Sequence, residues 1–336
     1  MKKYVVAILG ATGAVGREMI KVLEEKNFPI EKLILLASKR SVSKTITYLG
    51  KEIAVQEATI SSFKGVDIVF GATSSELSKF FLPYIKEAHA VYIDNSSAFR
   101  GDDNVPLVVP EINGDDIKLH QGVIANPNCS TIITLMAIYA LNKISPIKTM
   151  IASTYQAVSG AGANGPIELE EEVNALSKGE SYEPKVFEYQ IAYNVLPRIG
   201  NESFQGYTSE EMKLQNESRK ILHLSSLKAS CTCVRVPVVR SHSISVTCVF
   251  ENEVRVEEAR LAISKANGCI LKDDLSNKIY PMPLETSDQD LVYVGRIRKD
   301  LALDNALTLW CSGDQVRKGA ATNAIQIAEK LISFES

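Results

Sequence analysis

Paired cysteines are missing from this 336-residue chain. Its six cysteines, at positions 129, 231, 233, 248, 269 and 311, are scattered, and no CxxC pair occurs. That argues against a zinc site and against a disulfide framework, and makes a reducing cytoplasm the natural compartment. Long apolar runs are missing too. None approaches the ~18 residues that span a bilayer, and Ile132 to Leu141 is among the longest. Charge of one sign is not in excess: the formal net charge is -3. Neither nucleic acid nor an anionic membrane is therefore expected as a partner. The N-terminal run MKKYVVAILGATG has two lysines before an apolar segment, as a signal peptide would. The segment breaks at Gly10 with no cleavage-type small-residue site, so it reads as a first strand. Internal repeats and low-complexity segments are absent.

What is present is ordinary globular composition, 45% hydrophobic and 23% charged, in a length that predicts about two domains. The first half alternates strand-like and helix-like segments. Apolar runs at 4–9, 33–37, 66–70, 91–93 and 123–125 suit buried parallel strands, and Val15, Met19, Ile20 and Leu23 recur at helical spacing. The second half differs. Strands are expected at 149–158, 228–237, 243–251, 291–298 and 306–311, the second and third of these as antiparallel neighbours across a short bend. Helices are expected from Pro166 to about Leu176, over 209–223, and over 316–332. The expected class is α/β: an N-terminal Rossmann-like, doubly wound parallel sheet plus a second α+β domain with a mixed or antiparallel sheet. The first domain is expected over 1–127, completed by a C-terminal helix at 315–336, with 128–314 as the second.

The turn after the first strand is GATGAVG, with glycines at 10, 13 and 16 between a strand and a helix. In that context backbone can approach a pyrophosphate and a helix N-terminus can face it. Alone, the GxxGxxG spacing suits a tight structural turn equally well. After the second strand comes Ser38-Lys39-Arg40-Ser41, two cations and two hydroxyls where NAD-preferring sites usually carry an acid. A 2′-phosphate needs such donors, so NADP is favoured over NAD. A solvated basic loop is the plainer alternative.

Asn126-Pro127-Asn128-Cys129-Ser130-Thr131 lies between a strand-like and a helix-like run. Cys129 is thus expected near a helix N-terminus, where a thiolate is stabilised. The same N–H groups, with the Asn128 side chain, can hold an oxyanion. The other five cysteines read as small buried thiols. Of the four histidines, His89 and His120 read as surface residues and His223 as a helix end. His242 and Arg235 flank the bend between two strands. From pattern alone, His242 is equally a proton partner and a structural histidine.

Taken together these segments resemble aspartate-semialdehyde dehydrogenase, over essentially the whole chain. NPNCST around Cys129 and RVPVVRSHS around His242 are the most specific parts; TYQAVSGAG at 154–162, SEEMK at 209–213 and GDQVRKGAATNAIQIAE at 313–329 also match. The resemblance implies Cys129 as nucleophile, His242 as general acid/base, and Gln156 orienting the thioester. It implies Arg235 for the substrate α-carboxylate, Glu210 for its amino group, and Lys213 and Arg100 for phosphate. Gly10, Thr12, Gly13, Ala14, Val15 and Gly16 would line the NADP pyrophosphate, and Ser38, Arg40 and Ser41 the 2′-phosphate. Ser159, Gly160 and Gln315 would lie near the nicotinamide. Without the resemblance, Glu210 and Lys213, three apart, read as a surface helix ion pair and Arg100 as a surface arginine. Two positions depart from the pattern: Ser241 stands where Gly or Ala is common, and Gln315 where many relatives carry Asn.

The implied reaction is NADPH-dependent reductive dephosphorylation of aspartyl phosphate through a cysteine thioester, in lysine, methionine and threonine biosynthesis, with no metal and with a homodimer built through the second domain. A reductase of N-acetyl-γ-glutamyl phosphate is the nearest alternative. A phosphorylating glyceraldehyde-3-phosphate dehydrogenase fits the nucleophile context less well. A non-catalytic NADP-binding sensor is the alternative of another class; the joint presence of Cys129, Gln156, Arg235 and His242 argues against it.

Overall fold

A computed structural model describes residues 2–334. Two compact units emerge from its contacts. One is the chain up to Asn128 together with the stretch from Ala320 onward; the other is Cys129–Gly319. Of the C-terminal segment expected to complete the first domain, residues 335 and 336 lie outside the described residues.

The first unit opens with β1 (Tyr4–Leu9), α1 (Ala14–Glu25), β2 (Ile30–Ala37), β3 (Thr45–Tyr48), β4 (Lys51–Glu57) and β5 (Ile68–Gly71). It continues through α2 (Ser75–Glu87), β6 (Val91–Asp94), α3 (Pro110–Asn113) and β7 (Val123–Ala125). The second unit begins with α4 (Cys129–Asn142), β8 (Ile147–Gln156), α5 (Asn164–Ser177), β9 (Glu202–Phe204), β10 (Tyr207–Thr208) and α6 (Ser209–Ile221). It ends with β11 (Lys228–Arg235), β12 (His242–Phe250), α7 (Val256–Ser264), β13 (Cys269–Leu271), α8 (Pro283–Thr286), β14 (Val292–Lys299) and β15 (Ala306–Gly313). The chain then returns to the first unit as α9 (Thr322–Ser333).

The first sheet runs β3-β4-β2-β1-β5-β6-β7, parallel throughout except for β3. Strand order reverses at β1, so the carboxyl ends of β1 and its neighbours form the crevice where such sheets bind ligands. The core joins Val6, Ile8, Leu35 and Phe70 of the sheet to Met19, Ile20 and Leu23 of α1. Ala324, Ile327, Ala328 and Leu331 of α9 enter the same core at helical spacing. The hairpin of β3 and β4 was not among the expected strands. Its two-residue turn is Leu49-Gly50, both at positive φ (48° and 72°). A leucine in the left-handed region gives no Asn-Gly-type signal to read.

The second sheet runs β11-β8-β12-β15-β14-β13. Here one expectation is corrected: β11 and β12 are not neighbours. β8 lies between them, parallel to β11 and antiparallel to β12. The connection 236–241 crosses the end of β8, where Val158 N–H donates to Val238 O (2.8 Å). α4 is buried from Ser130 to Leu141 and packs with β8, β12, β14 and β15, so its apolar residues occur all round. The opposite sheet face carries Ile151 (46% exposed), Tyr155 (38%) and the half-buried Trp310, whose ring lies 5.3 Å from that of Tyr155.

The expected last helix is also corrected. Arg317–Ala321 is π-helical, and regular α-helix begins only at Thr322. The wider turn sets Gly319 against the nucleophile candidate: a Cβ there would stand 2.9 Å from Cys129 Cβ. Helical periodicity cannot distinguish such a bulge, which recurs at functional sites. Among the described residues no helix is long and apolar enough to cross a membrane.

Candidate active site

In the first unit, the turn Gly10–Gly16 joins β1 to α1. Gly10 has φ +92°, and a Cβ on it would stand 2.2 Å from Ala72 O at the end of β5. A Cβ on Gly16 would stand 2.3 Å from Gly10 O, so this glycine lets helix and strand close up. α1 starts at Ala14, immediately after Gly13, with no side-chain cap and no acid in its first turn. Its first-turn N–H groups, with Thr12, Val15 and Gly16 around them, make an anion cradle. Ser38, Arg40 and Ser41 stand just beyond β2, in and beside a short 3-10 turn over Lys39–Ser41. Ser41 Oγ lies 3.4 Å from Thr12 Oγ1, which joins the two loops, while Lys39 and Arg40 are exposed. Glycine turn, helix end and acid-free basic loop together fit a dinucleotide carrying a 2′-phosphate. Arg100 lies in the loop after β6 and donates through Nη2 to Asn95 O (2.7 Å). The buried Asp94 holds the root of that loop, accepting from Ser78 Oγ (2.8 Å), Tyr92 Oη (3.1 Å) and Ser96 Oγ (2.6 Å).

In the second unit the other candidates converge. Cys129 is the first residue of α4, and its Sγ lies 3.5 Å from His242 Nε2. β11 and β12 end and begin on either side of β8, so Arg235, Gln156 and His242 sit at one end of the sheet. Arg235 donates to Ala157 O (2.7 Å) and pairs in register with Gln156. Gln156 donates to Glu210 Oε1 (3.4 Å), and Glu210 accepts from Lys213 Nζ (3.0 Å). Glu210 is thus a buried carboxylate and not the surface ion pair its helix spacing suggested. Gly160 sits beneath this group, where a Cβ would be 2.6 Å from Arg235 Nη1 and 3.1 Å from His242 Cε1. Gln315 bridges neighbouring loops: its Oε1 accepts from Ser241 N–H (2.8 Å) and its Nε2 donates to Ser159 Oγ. Asn128 is buried immediately before the cysteine.

His242 is fully buried, and Ala157 N–H donates to its Nδ1 at 3.1 Å. Burial, reinforced by the Arg235 cation and only partly opposed by Glu210, pushes the imidazole down to about 3. Burial also lowers the Arg235 guanidinium, against raising contributions from Cys129 and Glu210. Three of the remaining cysteines are held as thiols: Cys248 is pushed up to about 12 by burial, Cys311 up by burial, and Cys231 up by its hydrogen bond with Cys233 and by burial. His89 and His223 are exposed, and His120 is half-buried and accepts from Gly122 N–H (3.1 Å).

Sequence reasoning missed several supporting residues. Gly319 is one, for the reason given above. Asn126 donates to Asn95 Oδ1 (2.9 Å) and accepts from Asn323 Nδ2 (2.7 Å), tying the strand end before Cys129 to α9. Asp314 accepts from Arg240 Nε and from the N–H groups of Asp288, Val316 and Arg317, which fixes the loop carrying Gln315. Glu168 accepts three backbone N–H groups, from Lys185, Val186 and Phe187, and so holds the strand-free segment beside Arg235. Asp314, directly after Gly313, gave a faint signal; a glutamate inside α5 gave none.

Models of known families match both units. The semialdehyde dehydrogenase NAD binding domain matches residues 5–120, and the semialdehyde dehydrogenase dimerisation domain matches residues 138–318. The aspartate-semialdehyde dehydrogenase of Aquifex aeolicus is 47% identical over 334 residues, covering 98% of both chains. The crystal structure of aspartate semialdehyde dehydrogenase II from Vibrio cholerae, complexed with ASA, superposes with TM-score 0.97 at 40% identity, covering 99% of each chain. That of the Candida albicans enzyme with NADP superposes with TM-score 0.77 at 25% identity, covering 98% of each. Agreement of this extent, end to end in both sequence and fold, places the chain in the aspartate-semialdehyde dehydrogenase family.

Proposed function

We propose that this protein reduces L-4-aspartyl phosphate to L-aspartate 4-semialdehyde, reversibly, with Cys129 carrying the acyl group as a thioester. The observation that carries the reading is Cys129 Sγ at 3.5 Å from His242 Nε2, at a helix start, beside the Arg235 cation. The helix end, the cation and the imidazole all favour sulfur as a thiolate. The thiolate attacks the acyl carbon, the α4 N-terminus and Asn128 stabilise the oxyanion, and His242 serves as general acid/base. Lys213 and Arg100 are the cations assigned to the phosphate. NADPH, held by Gly10–Gly16 with Ser38, Arg40 and Ser41, supplies the hydride when bound, and Ser159, Gly160 and Gln315 shape the nicotinamide end. Arg235 takes the substrate α-carboxylate by a bidentate contact, Glu210 its ammonium, and Gln156 orients the thioester.

The domain roles follow: cofactor binding over 1–127 with the C-terminal helix, catalysis and dimerisation over 128–314. The uncovered sheet face with Ile151, Tyr155 and Trp310 supports a homodimer formed by two copies of this face. The scattered cysteines, with no CxxC pair, support a cytoplasmic setting.

The test is reduction of NADP by L-aspartate semialdehyde. Phosphate-dependent activity that Cys129→Ser abolishes is the expected result. Activity with N-acetylglutamate semialdehyde instead moves the substrate to the longer acetylated homologue, and cofactor binding without turnover on either leaves a sensor.

A further inference from the structure

We propose that Phe187 is a positioning residue for the substrate carboxylate: its ring lies over the Arg235 guanidinium and fixes that fork, and two buried glutamates of α5, Glu168 and Glu172, hold the ring there. The inference rests on the assignment of Arg235 to the substrate α-carboxylate.

The stretch 178–201, between α5 and β9, forms no helix and no strand beyond a single bridge of Leu196 with Arg235. A segment of that length without regular structure is usually functional, and it must find acceptors for its N–H groups outside a ladder. Glu168 supplies one set: its Oε2 accepts from Lys185 N–H (2.7 Å) and Val186 N–H (2.6 Å), its Oε1 from Phe187 N–H (3.0 Å). Glu172 supplies the next, its Oε2 accepting from Ile191 N–H (2.9 Å) and Ala192 N–H (2.6 Å). The two glutamates are four apart, so one face of α5 carries both. Both are buried. An apolar side chain at either position would pack the helix without the cost of burying a charge. What the carboxylates add is a grip on the backbone of this segment through charge-assisted bonds.

The grip ends at Arg235. Phe187 is half-buried in an otherwise exposed run, 185–190. It packs against the small cluster of Val158, Leu169, Ile191 and Ala192. Its ring centroid lies 6.0 Å from Arg235 Cζ, within range of a cation–π contact. Arg235 Nη1 is tied to Ala157 O at 2.7 Å, and its backbone exchanges hydrogen bonds with Leu196 (2.8 and 2.9 Å). One edge of the guanidinium is therefore set by Ala157 and one face by Phe187. A bidentate contact with a carboxylate needs that plane fixed, because both N–H···O bonds lie in it.

Steady-state kinetics and arginine labelling of the full chain test the proposal together. Glu168→Gln replaces one accepting oxygen with an NH₂ group that faces N–H donors, and Phe187→Leu removes the ring. Each should raise the KM for L-aspartate semialdehyde by about 3–30-fold, the worth of one cation–π contact, while kcat and the KM values for NADP and phosphate stay near wild type. The double variant should be no worse than the poorer single, since both act through one contact, and Phe187→Tyr, which keeps the ring face, should restore the wild-type KM. A rise in all three KM values with a fall in kcat would show that the segment only holds the fold, and multiplied effects in the double variant would show separate actions; either overturns the proposal. Phenylglyoxal labelling, mapped by peptide mass with the exposed Arg255 as internal reference, should modify Arg235 faster in Glu168→Gln and in Phe187→Leu than in wild type. Unchanged labelling in both variants would overturn the proposal as well. The labelling uses no substrate, so a wild type inactive on aspartate semialdehyde sinks the substrate reading alone, and unchanged labelling beside an active wild type sinks this inference alone.

Discussion

Gly160→Ala isolates the geometry of the site with the smallest perturbation available. The added methyl would stand 2.6 Å from Arg235 Nη1, 3.1 Å from His242 Cε1 and 3.4 Å from His242 Nε2. Neither neighbour yields easily. Arg235 is buried and tied to Ala157 O at 2.7 Å, and His242 is held through Nδ1 by the same residue's N–H. Relief needs the guanidinium to move by about 1 Å, and displacement of that size typically costs about 10²-fold in rate. Gly160 is not among the positive-φ glycines, so alanine meets no backbone penalty, and restricting the unfolded chain should offset part of the crowding. The expected outcome is kcat/KM with aspartate semialdehyde down by about 10²-fold, while the unfolding free energy from urea titration changes by about 1 kcal/mol or less. Unchanged kcat/KM would refute the placement of Arg235 and His242 around the substrate. An equal collapse of activity and stability would show that the methyl breaks the fold and not the site.

Three further outcomes follow from the same geometry. Arg235→Ala should lower kcat/KM by about 2–4 kcal/mol, mostly through KM, because a bidentate carboxylate contact is lost; an unchanged KM would put the carboxylate elsewhere. Arg40→Glu should raise the KM for NADP by about tenfold or more and leave that for NAD nearly unaltered, read in the same assay with each cofactor. Acid should destabilise the second unit through His242. Its folded pKa, about 3, lies below the unfolded 6.5, so the unfolded chain takes up the proton first. The stabilisation is full above pH 6.5 and is lost as pH falls towards 3, reaching about 3 kcal/mol by pH 4.5. Urea unfolding at pH 7.5 and 4.5 should show that component in the wild type, and His242→Gln should lack it.

Much of this arrangement was legible because the chemistry requires particular residues at turns. The Gly10–Gly16 turn is dictated by backbone: Gly10 by its positive φ, Gly16 by its approach to Gly10 O. Cys129 stood out because a strand end and a helix start bracket it. Glu210 did not, since three-residue spacing to Lys213 gives an exposed pair and a buried pair alike; only the fold decides. The strand order in the second sheet was also out of reach. A short connection between 235 and 242 suggests a hairpin, whereas β8 inserts between the two strands and receives hydrogen bonds from both. That insertion is what sets Ala157 against both Arg235 and His242. The β3–β4 turn and the π-helical Arg317–Ala321 are local exceptions to pattern, one through a leucine at positive φ and one through a wider helical turn.

The central claim is that Cys129 carries the substrate, and acyl-enzyme trapping tests it most directly. Enzyme mixed with NADP and L-aspartate semialdehyde in the absence of phosphate should reduce about one NADP per site in a burst and then stall. Intact mass should rise by one aspartyl group, peptide mapping should place it on Cys129, and added phosphate should discharge it. An adduct on another residue, or steady turnover with no adduct at any time, would contradict the account.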